Sequence, residues 1–247
     1  ALFSFWFNEP HRPTKELDLL GFGKTDVPTL EKVAREICRI DGEDALEFLP
    51  ETVKGASIRE EEIYGGVRLN LLAMLEKARI PAQIDVGSGD AVTPEAEEKT
   101  LQTILDVLPA PRIRIYPKET VVAEKFEAMV KLGIGNSRMK DFWDISYLIK
   151  EFEFDGALLQ RAIKATFTTR QTPLPQNLPL ALTDEFANSP LIIPRWNAFI
   201  RRNRITTGTD LVSLIESLRE FFAPVIEVEM RNAVFTKHWQ KEGKWKE

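Results

Sequence analysis

Residues 16–23 read ELDLLGFG, and the prediction of the fold starts from this segment. Leucines surround Asp18 and glycines follow, which predicts a short apolar strand that carries acids and ends in a glycine turn. Because side chains alternate along a strand, Glu16 and Asp18 are expected to point the same way. Leu17 and Leu19 are then expected to face the core. Two like charges side by side repel each other, so the pair favours a bound cation.

A third acid follows in a second predicted strand, IPAQIDV at residues 80–86, where Asp85 lies near the end. If this strand pairs beside the first, the carboxylates of Glu16, Asp18 and Asp85 meet on one face. Three carboxylates can hold two Mg²⁺ ions for nucleotidyl transfer, one lowering the pKa of an acceptor hydroxyl and the other neutralising the triphosphate. The alternative is a solvated acidic face, the more common setting of an acid-x-acid pair taken alone.

Hydrophobic periodicity predicts the other elements. Helices are expected at residues 29–40, 118–132, 141–152, 156–168, 184–203 and 210–222, and strands at 67–75 and 112–116. A hairpin through residues 76–78 is expected to join the strands 67–75 and 80–86. The basic tail from residue 237 is expected to be a solvated extension. The fold class is therefore α+β, a mixed sheet in residues 1–117 followed by a bundle of helices in residues 118–247.

The composition excludes several kinds of site. The net charge of -5 rules out a uniformly basic nucleic-acid coat, and a single cysteine excludes an intrachain disulfide and a thiolate zinc cluster. Two histidines exclude a multi-histidine metal site. No apolar run can cross a bilayer and the opening segment lacks a basic leader, so we expect a cytoplasmic protein without membrane contact. The chain begins with Ala1, and we expect its true N-terminus to be truncated.

Five stretches resemble the AbiEii/AbiGii nucleotidyltransferase toxin family, within the DNA-polymerase-β-like superfamily. They are PHRPTKELDLLGFG (10–23), YGGVRLNLLAML (64–75), IPAQIDVGSGDAVTP (80–94), AEKFEAMVKLGIGNSRMKDFWDI (123–145) and LALTDEFA (180–187). The similarity extends to about residue 222, and the 123–145 block is its most specific part. The resemblance implies the minimal nucleotidyltransferase fold, with a C-terminal helical domain that completes the active site.

The family motifs imply roles for individual residues. The glycine turn that cradles the triphosphate would lie at or just before Ala1, and Glu16 stands where the family usually has Asp. Glu124 and Lys125 form the third motif, in which Lys125 would hold a phosphate. In the fourth motif, Asp144 would orient that lysine or reach the substrate. The alternative for Lys125 is a surface lysine paired with a helix acid.

Basic and aromatic residues surround these motifs. If they fold together, Arg12 and Lys15 before the acidic strand, with Arg138 and Lys140 before the fourth motif, would form a basic rim that grips RNA or the triphosphate. Asp141 would contribute to the same NTP site, or would favour the positive end of its helix. Phe142 and Trp143 could stack on a base, but core packing is preferred for at least one of them.

The resemblance implies a Mg²⁺-dependent nucleotidyltransferase that uses an NTP and releases pyrophosphate. Its role would be the toxin of a toxin–antitoxin or phage-defence pair, with a cognate antitoxin as partner. The expected acceptor is RNA, with a tRNA 3′ end preferred. Two alternatives stay open: nucleotidylation of a protein side chain, and a catalytically degenerate fold that serves as a binding module.

Overall fold

The computed structural model describes residues 3, 6, 16–58, 65–101, 103, 107–205, 210–241 and 243–247. The chain divides into two compact units. The first unit comprises Ala1–Asp90 with Glu98–Ile113, and the second comprises Ala91–Glu97 with Arg114–Glu247. Strands dominate the described part of the first unit and helices that of the second, which confirms the α+β class.

A four-stranded mixed sheet forms the centre of the first unit. Its strands are β1 (Glu16–Gly21), β2 (Leu46–Ile58), β3 (Gly66–Leu75) and β4 (Ala78–Ser88), in the order β1-β4-β3-β2. β1 runs parallel to β4, whereas β3 is antiparallel to both β4 and β2. The expected hairpin joins β3 to β4, and Glu76 in its turn has a positive φ of 52°.

Helix α1 (Val27–Ile37) covers one face of this sheet. Asp26 caps its N-terminus by accepting a hydrogen bond from the Thr29 N–H at 2.8 Å. Its apolar face packs Leu30 and Ala34 against the sheet residues Val53, Val67, Leu69 and Leu71. The helix ends at Ile37, three residues before the predicted end, and Ile40, which the prediction placed inside it, is exposed.

The long strand β2 has no counterpart in the sequence prediction. Pro50 interrupts its alternation, and its register with β3 shifts between Leu49 and Lys54. The Thr52 hydroxyl bridges the shift: it donates to the Leu49 carbonyl at 2.6 Å and accepts from the Leu72 N–H at 3.0 Å. Proline cannot donate to a strand ladder, so a bulge at this point accommodates it.

One expectation for β1 is wrong. Leu17 and Leu19 lie opposite the acids, but they are 41% and 46% exposed rather than in the core. β1 is the end strand of the sheet as ordered here, and the buried cluster beneath α1 centres on β2 and β3. Alternation therefore predicted the side of the sheet correctly but not the depth of burial.

Helices build most of the second unit. They are α2 (Lys118–Leu132), α3 (Met139–Glu151), α4 (Gly156–Thr169), α5 (Asp184–Ala187), α6 (Ile192–Asn203) and α7 (Leu211–Met230). Phe126 of α2 stacks on Phe222 of α7 with ring centroids 4.0 Å apart. The predicted helix at residues 184–203 is two helices, because Pro190 lacks an N–H and disfavours helical geometry at the residue before it.

The C-terminal tail contradicts the prediction of a solvated extension. β8 (His238–Gln240) pairs with β9 (Lys244–Lys246) and with β7 (Phe154–Asp155). Trp239 is 2% exposed, and its indole N–H donates to the Ile149 carbonyl at 2.6 Å. A buried tryptophan contributes enough apolar area to dock an otherwise polar segment.

A separate two-stranded sheet pairs β5 (Glu97–Thr100) with β6 (Arg112–Ile115). Throughout the described ranges, no helix combines the length and apolar character that a bilayer crossing requires.

Candidate active site

The acidic residues of the first unit share one face of the four-stranded sheet. In the parallel pairing of β1 with β4, Asp18 is the direct partner of Asp85, and Glu16 is the partner of Gln83. Register partners point to the same side of a sheet, and so do residues two apart on one strand. The predicted adjacency of the two acidic strands is therefore present, and all three carboxylates lie on the face opposite α1.

A cation from β3 completes this acidic face. Arg68 is the antiparallel register partner of Asp85, and its guanidinium makes a bidentate pair of hydrogen bonds to that carboxylate. Its Nε donates to Oδ1 of Asp85 at 2.9 Å, and its Nη2 donates to Oδ2 at 2.7 Å. Gln83 adds a donation to Oδ1 at 3.2 Å. A two-pronged arginine–carboxylate pair is stronger and more directional than a single contact.

The electrostatics of Arg68 reflect the whole acidic face. The hydrogen bond to Asp85 raises the pKa of Arg68 above its ordinary value, against partial burial, and the charges of Asp85, Glu16 and Asp18 raise it further. Arg68 therefore sits within the field of all three carboxylates. Its side chain is 39% exposed and that of Asp85 is 16% exposed, while Asp18 is exposed.

The donor types fit a hard divalent cation, because Mg²⁺ takes carboxylate oxygens. As the side chains stand, however, no group of three or more His, Cys, Asp or Glu in the described residues converges as a metal site. One of the three acids, Asp85, is turned to Arg68 instead. The metal assignment of Glu16, Asp18 and Asp85 therefore stays a prediction.

A second cluster of charges lies in the second unit, between α2 and α3. The amine of Lys125 on α2 donates to Asp141 at 2.8 Å and to Asp144 at 2.9 Å, both on α3. Arg138, just before α3, donates its Nε to the second oxygen of Asp141 at 2.6 Å. The two aspartates stand three residues apart, which places both on the helix face toward the lysine.

The charged groups of this network are largely shielded from water. Asp141 and Asp144 are fully buried, and the Lys125 side chain is 14% exposed. Burial would lower the pKa of Lys125, but the charges of Asp141 and Asp144 outweigh it and raise the pKa above its ordinary value. Burial likewise opposes the charge of Asp141, yet Lys125 and Arg138 hold its pKa below the ordinary value. Lys125 and Asp141 are therefore both charged at neutral pH.

Glu124 of the third motif belongs to a neighbouring contact set. Arg170, just after α4, approaches Glu124 at 3.3 Å and Glu127 at 3.2 Å. The Thr172 hydroxyl also donates to Glu127. These contacts connect α2 to the end of α4. Glu124 therefore forms an ion pair with Arg170, apart from the Lys125 network.

The other predicted residues fall into distinct environments. Lys140 is exposed at the start of α3, whereas Phe142 and Trp143 are buried. Phe142 stacks on Phe186 at 5.2 Å, and Trp143 lies against Trp196 at 6.5 Å, which confirms the core interpretation for both. Arg12 and Lys15 lie outside the described residues.

Sequence reasoning missed Arg68, although a signal was present. On the predicted strand 67–75, Arg68 and Asn70 interrupt an otherwise apolar run at a spacing of two. Polar residues at period two mark one face of a strand, so these side chains had to face away from the core. Arg170 carried no comparable signal, because its acidic partners lie 43 and more residues away in the chain.

In comparison with known proteins, a family model matches most of the chain. The family model described as nucleotidyl transferase AbiEii toxin, type IV toxin–antitoxin system, matches residues 1–224. A search of curated proteins finds no match. Among solved structures, JHP933 from Helicobacter pylori is 14% identical, with a TM-score of 0.48 over 94% of this chain and 83% of that chain. A second H. pylori protein, provisionally described as a nucleotidyltransferase, is 13% identical, with a TM-score of 0.48 over 94% of this chain and 86% of its own.

Proposed function

Because this chain belongs to the AbiEii family of nucleotidyl transferase toxins from type IV toxin–antitoxin systems, we propose that it is a Mg²⁺-dependent enzyme that modifies RNA. In the proposed reaction an RNA hydroxyl oxygen attacks the α-phosphorus of an NTP and loses its proton. The bond from that phosphorus to the bridging oxygen breaks, and pyrophosphate leaves. Membership in a toxin–antitoxin family also implies a cognate antitoxin. The observation that carries the proposal is the direct pairing of Asp18 with Asp85.

Glu16, Asp18 and Asp85 are the residues that would hold Mg²⁺. When bound there, the ion would lower the pKa of an acceptor hydroxyl and offset charge on the triphosphate. The protein's part is to fix the oxygen donors on one rigid sheet face, where β1 and β4 hold Asp18 and Asp85 in register. Glu16 is one methylene longer than aspartate, so it can reach across from its place opposite Gln83.

Lys125 is the residue proposed to bind a phosphate of the NTP. An ammonium has three N–H donors, and Asp141 and Asp144 accept two of them. A phosphate oxygen can take the third, while the two aspartates fix the direction of the amine. Arg138 and Lys140, half-buried and exposed respectively, would add positive charge for the triphosphate or for RNA phosphates.

The proposed acceptor is the 3′ end of a tRNA, and the proposed role is growth arrest in phage defence. Positive charge for an RNA backbone is available in the second unit, where the end of α6 exposes Arg201, Arg202 and Arg204. Arginine is suited to phosphate oxygens, and such contacts position RNA without reading its sequence.

The test uses the full chain with labelled NTPs, total RNA, and Mg²⁺ or EDTA. We expect label on RNA only with Mg²⁺, and a loss of about 10³-fold for Asp18→Ala, since metal stabilisation of transferring charge amounts to several kcal/mol. Glu47→Ala removes an exposed carboxylate of the same sheet and serves as the control, with unchanged activity. Transfer by Asp18→Ala at the wild-type rate would falsify the metal assignment.

The acceptor is tested in the same reaction by separating RNA from protein. Label on protein alone would replace the RNA acceptor with protein nucleotidylation. If no product forms and no NTP shifts the melting temperature with Mg²⁺ present, the chain is a binding module rather than an enzyme.

A further inference from the structure

The position of Arg68 has a consequence for any cation at the acidic face. Both oxygens of Asp85 already accept hydrogen bonds from Arg68, and Oδ1 accepts a further one from Gln83. A metal ligand must present an oxygen lone pair toward the ion. A carboxylate has about four lone-pair positions, and these donors take up three of them, so a divalent cation meets competition at Asp85.

Arg68 also supplies positive charge where a cation would bind. It is the register partner of Asp85, which is in turn the partner of Asp18, so these three residues form one row across β3, β4 and β1. The guanidinium feels the charges of Glu16 and Asp18 as well as Asp85. A divalent ion at the same face would be repelled by Arg68 and attracted by the three acids.

We propose that Arg68 is a resident cation of this face and competes with the divalent cation for Asp85, so that it limits the protein's affinity for that cation. The inference rests on the proposed function, because it takes the ligands Glu16, Asp18 and Asp85 from it. Arg68 thereby acts as a positioning residue: its guanidinium holds the Asp85 carboxylate until the cation arrives, and cation binding requires at least one of its two hydrogen bonds to Asp85 to break.

The test measures Mn²⁺ binding to the full chain by titration calorimetry, without NTP. Arg68→Met keeps an unbranched, flexible stem and removes the charge, and we expect it to bind Mn²⁺ on the order of tenfold more tightly than wild type. Arg79→Met is the matched control. Arg79 is exposed on the same strand as Asp85, roughly 20 Å away at strand spacing, beyond the screening length at ordinary salt.

A second readout separates competition from a purely structural role. Without Mn²⁺, Arg68→Met should melt at a lower temperature than wild type, and saturating Mn²⁺ should raise its melting temperature by more than it raises that of wild type. Asp85→Asn in the Arg68→Met background should remove the gain in affinity. Arg68→Lys keeps the positive charge but cannot make the bidentate contact, so it should bind Mn²⁺ with intermediate affinity. This variant replaces Arg68→Met in the test if the methionine variant fails to fold.

The outcomes distinguish this inference from the proposed function. Equal Mn²⁺ affinity in wild type and Arg68→Met, or weaker binding by the variant, overturns the competition and leaves the metal ligands standing. If Arg79→Met gained as much Mn²⁺ affinity as Arg68→Met, the gain would come from the net charge of the protein, and the competition by Arg68 would also be overturned. If neither wild type nor Arg68→Met binds Mn²⁺, the metal assignment and this inference fail together.

Discussion

The two charged clusters use the same chemical groups in opposite environments. On the acidic face of the sheet, Asp18 is exposed and Asp85 is mostly covered by Arg68. In the buried network, Asp141 and Asp144 are fully buried around the amine of Lys125. Asp18 therefore lies near solvent, whereas Asp141 and Asp144 each accept a hydrogen bond from Lys125.

Exposure to solvent sets the free-energy cost of the charges in each cluster. A charge near solvent costs little free energy because water screens it, so Asp18 can stay exposed before a cation binds. Buried charges are tolerated only when paired, so the buried network must be complete in the folded protein itself. Substitutions on the acidic face should therefore change function, while those in the buried network should change stability first.

The largest stability effect is expected for Lys125→Met. The substitution leaves Asp144 and part of Asp141 buried without their amine, and removal of one partner of a buried ion pair costs about 3–5 kcal/mol. The free energy of unfolding, measured with urea, should fall by that amount. Lys150→Met, on the exposed side of α3, is the control and should change it by less than about 1 kcal/mol. Equal losses in the two variants would contradict the buried network.

Acid should destabilise the wild type through this network. The folded pKa of Asp141 lies below its ordinary value of 3.8, so its contribution is present above that pH and is lost as the pH falls through the folded value. The raised pKa of Lys125 gives a contribution that is present below 10.5 and is lost as the pH rises through the folded value. Unfolding measured across pH should show a plateau between these limits.

The difference in stability between wild type and Lys125→Met should depend on pH. Acid adds protons to carboxylates, and so removes the buried charge that the variant leaves without its amine. The stability gap between wild type and variant should then narrow as the pH falls toward 4. A gap that stays constant with pH would show that the lysine contributes packing rather than charge.

The smallest stability effect is expected for Asp18→Asn on the acidic face. The side chain is exposed, so its free energy of unfolding should change by less than about 0.5 kcal/mol, with a slight gain from reduced repulsion. Urea unfolding of this variant beside Lys125→Met measures the contrast directly. A loss of several kcal/mol would mean that Asp18 belongs to a structural network like that of Lys125.

Local patterns predicted the elements that have strong periodicity and clear boundaries. Helix α2 lies at the predicted residues because Pro117 starts it and Gly133 ends it. The β3–β4 hairpin was predictable from two apolar runs and a polar turn. By contrast, β2 was not predicted because Pro50 breaks its pattern, and the tail was not predicted because Trp239 is buried only by distant partners.

The sequence predicted which acids share one side of a strand, but it did not predict the contacts that these side chains make. The spacing of Glu16 and Asp18 predicted a common side, and the structure adds that Asp85 is the register partner of Asp18. Lys125 was expected either on the surface or at a phosphate. Its burial between Asp141 and Asp144 depends on how α2 packs on α3, which no local pattern encodes.

The α+β class, the acids that share a strand face and the family of the chain all follow from the amino-acid sequence. Alternation and helical spacing are properties of neighbouring residues, so they can be read from the chain directly. The contact of Arg68 with Asp85 and the position of Lys125 between two buried carboxylates are known from the folded structure alone. Both facts depend on which strands and helices lie side by side, and that choice is made by the burial of apolar area over the whole fold.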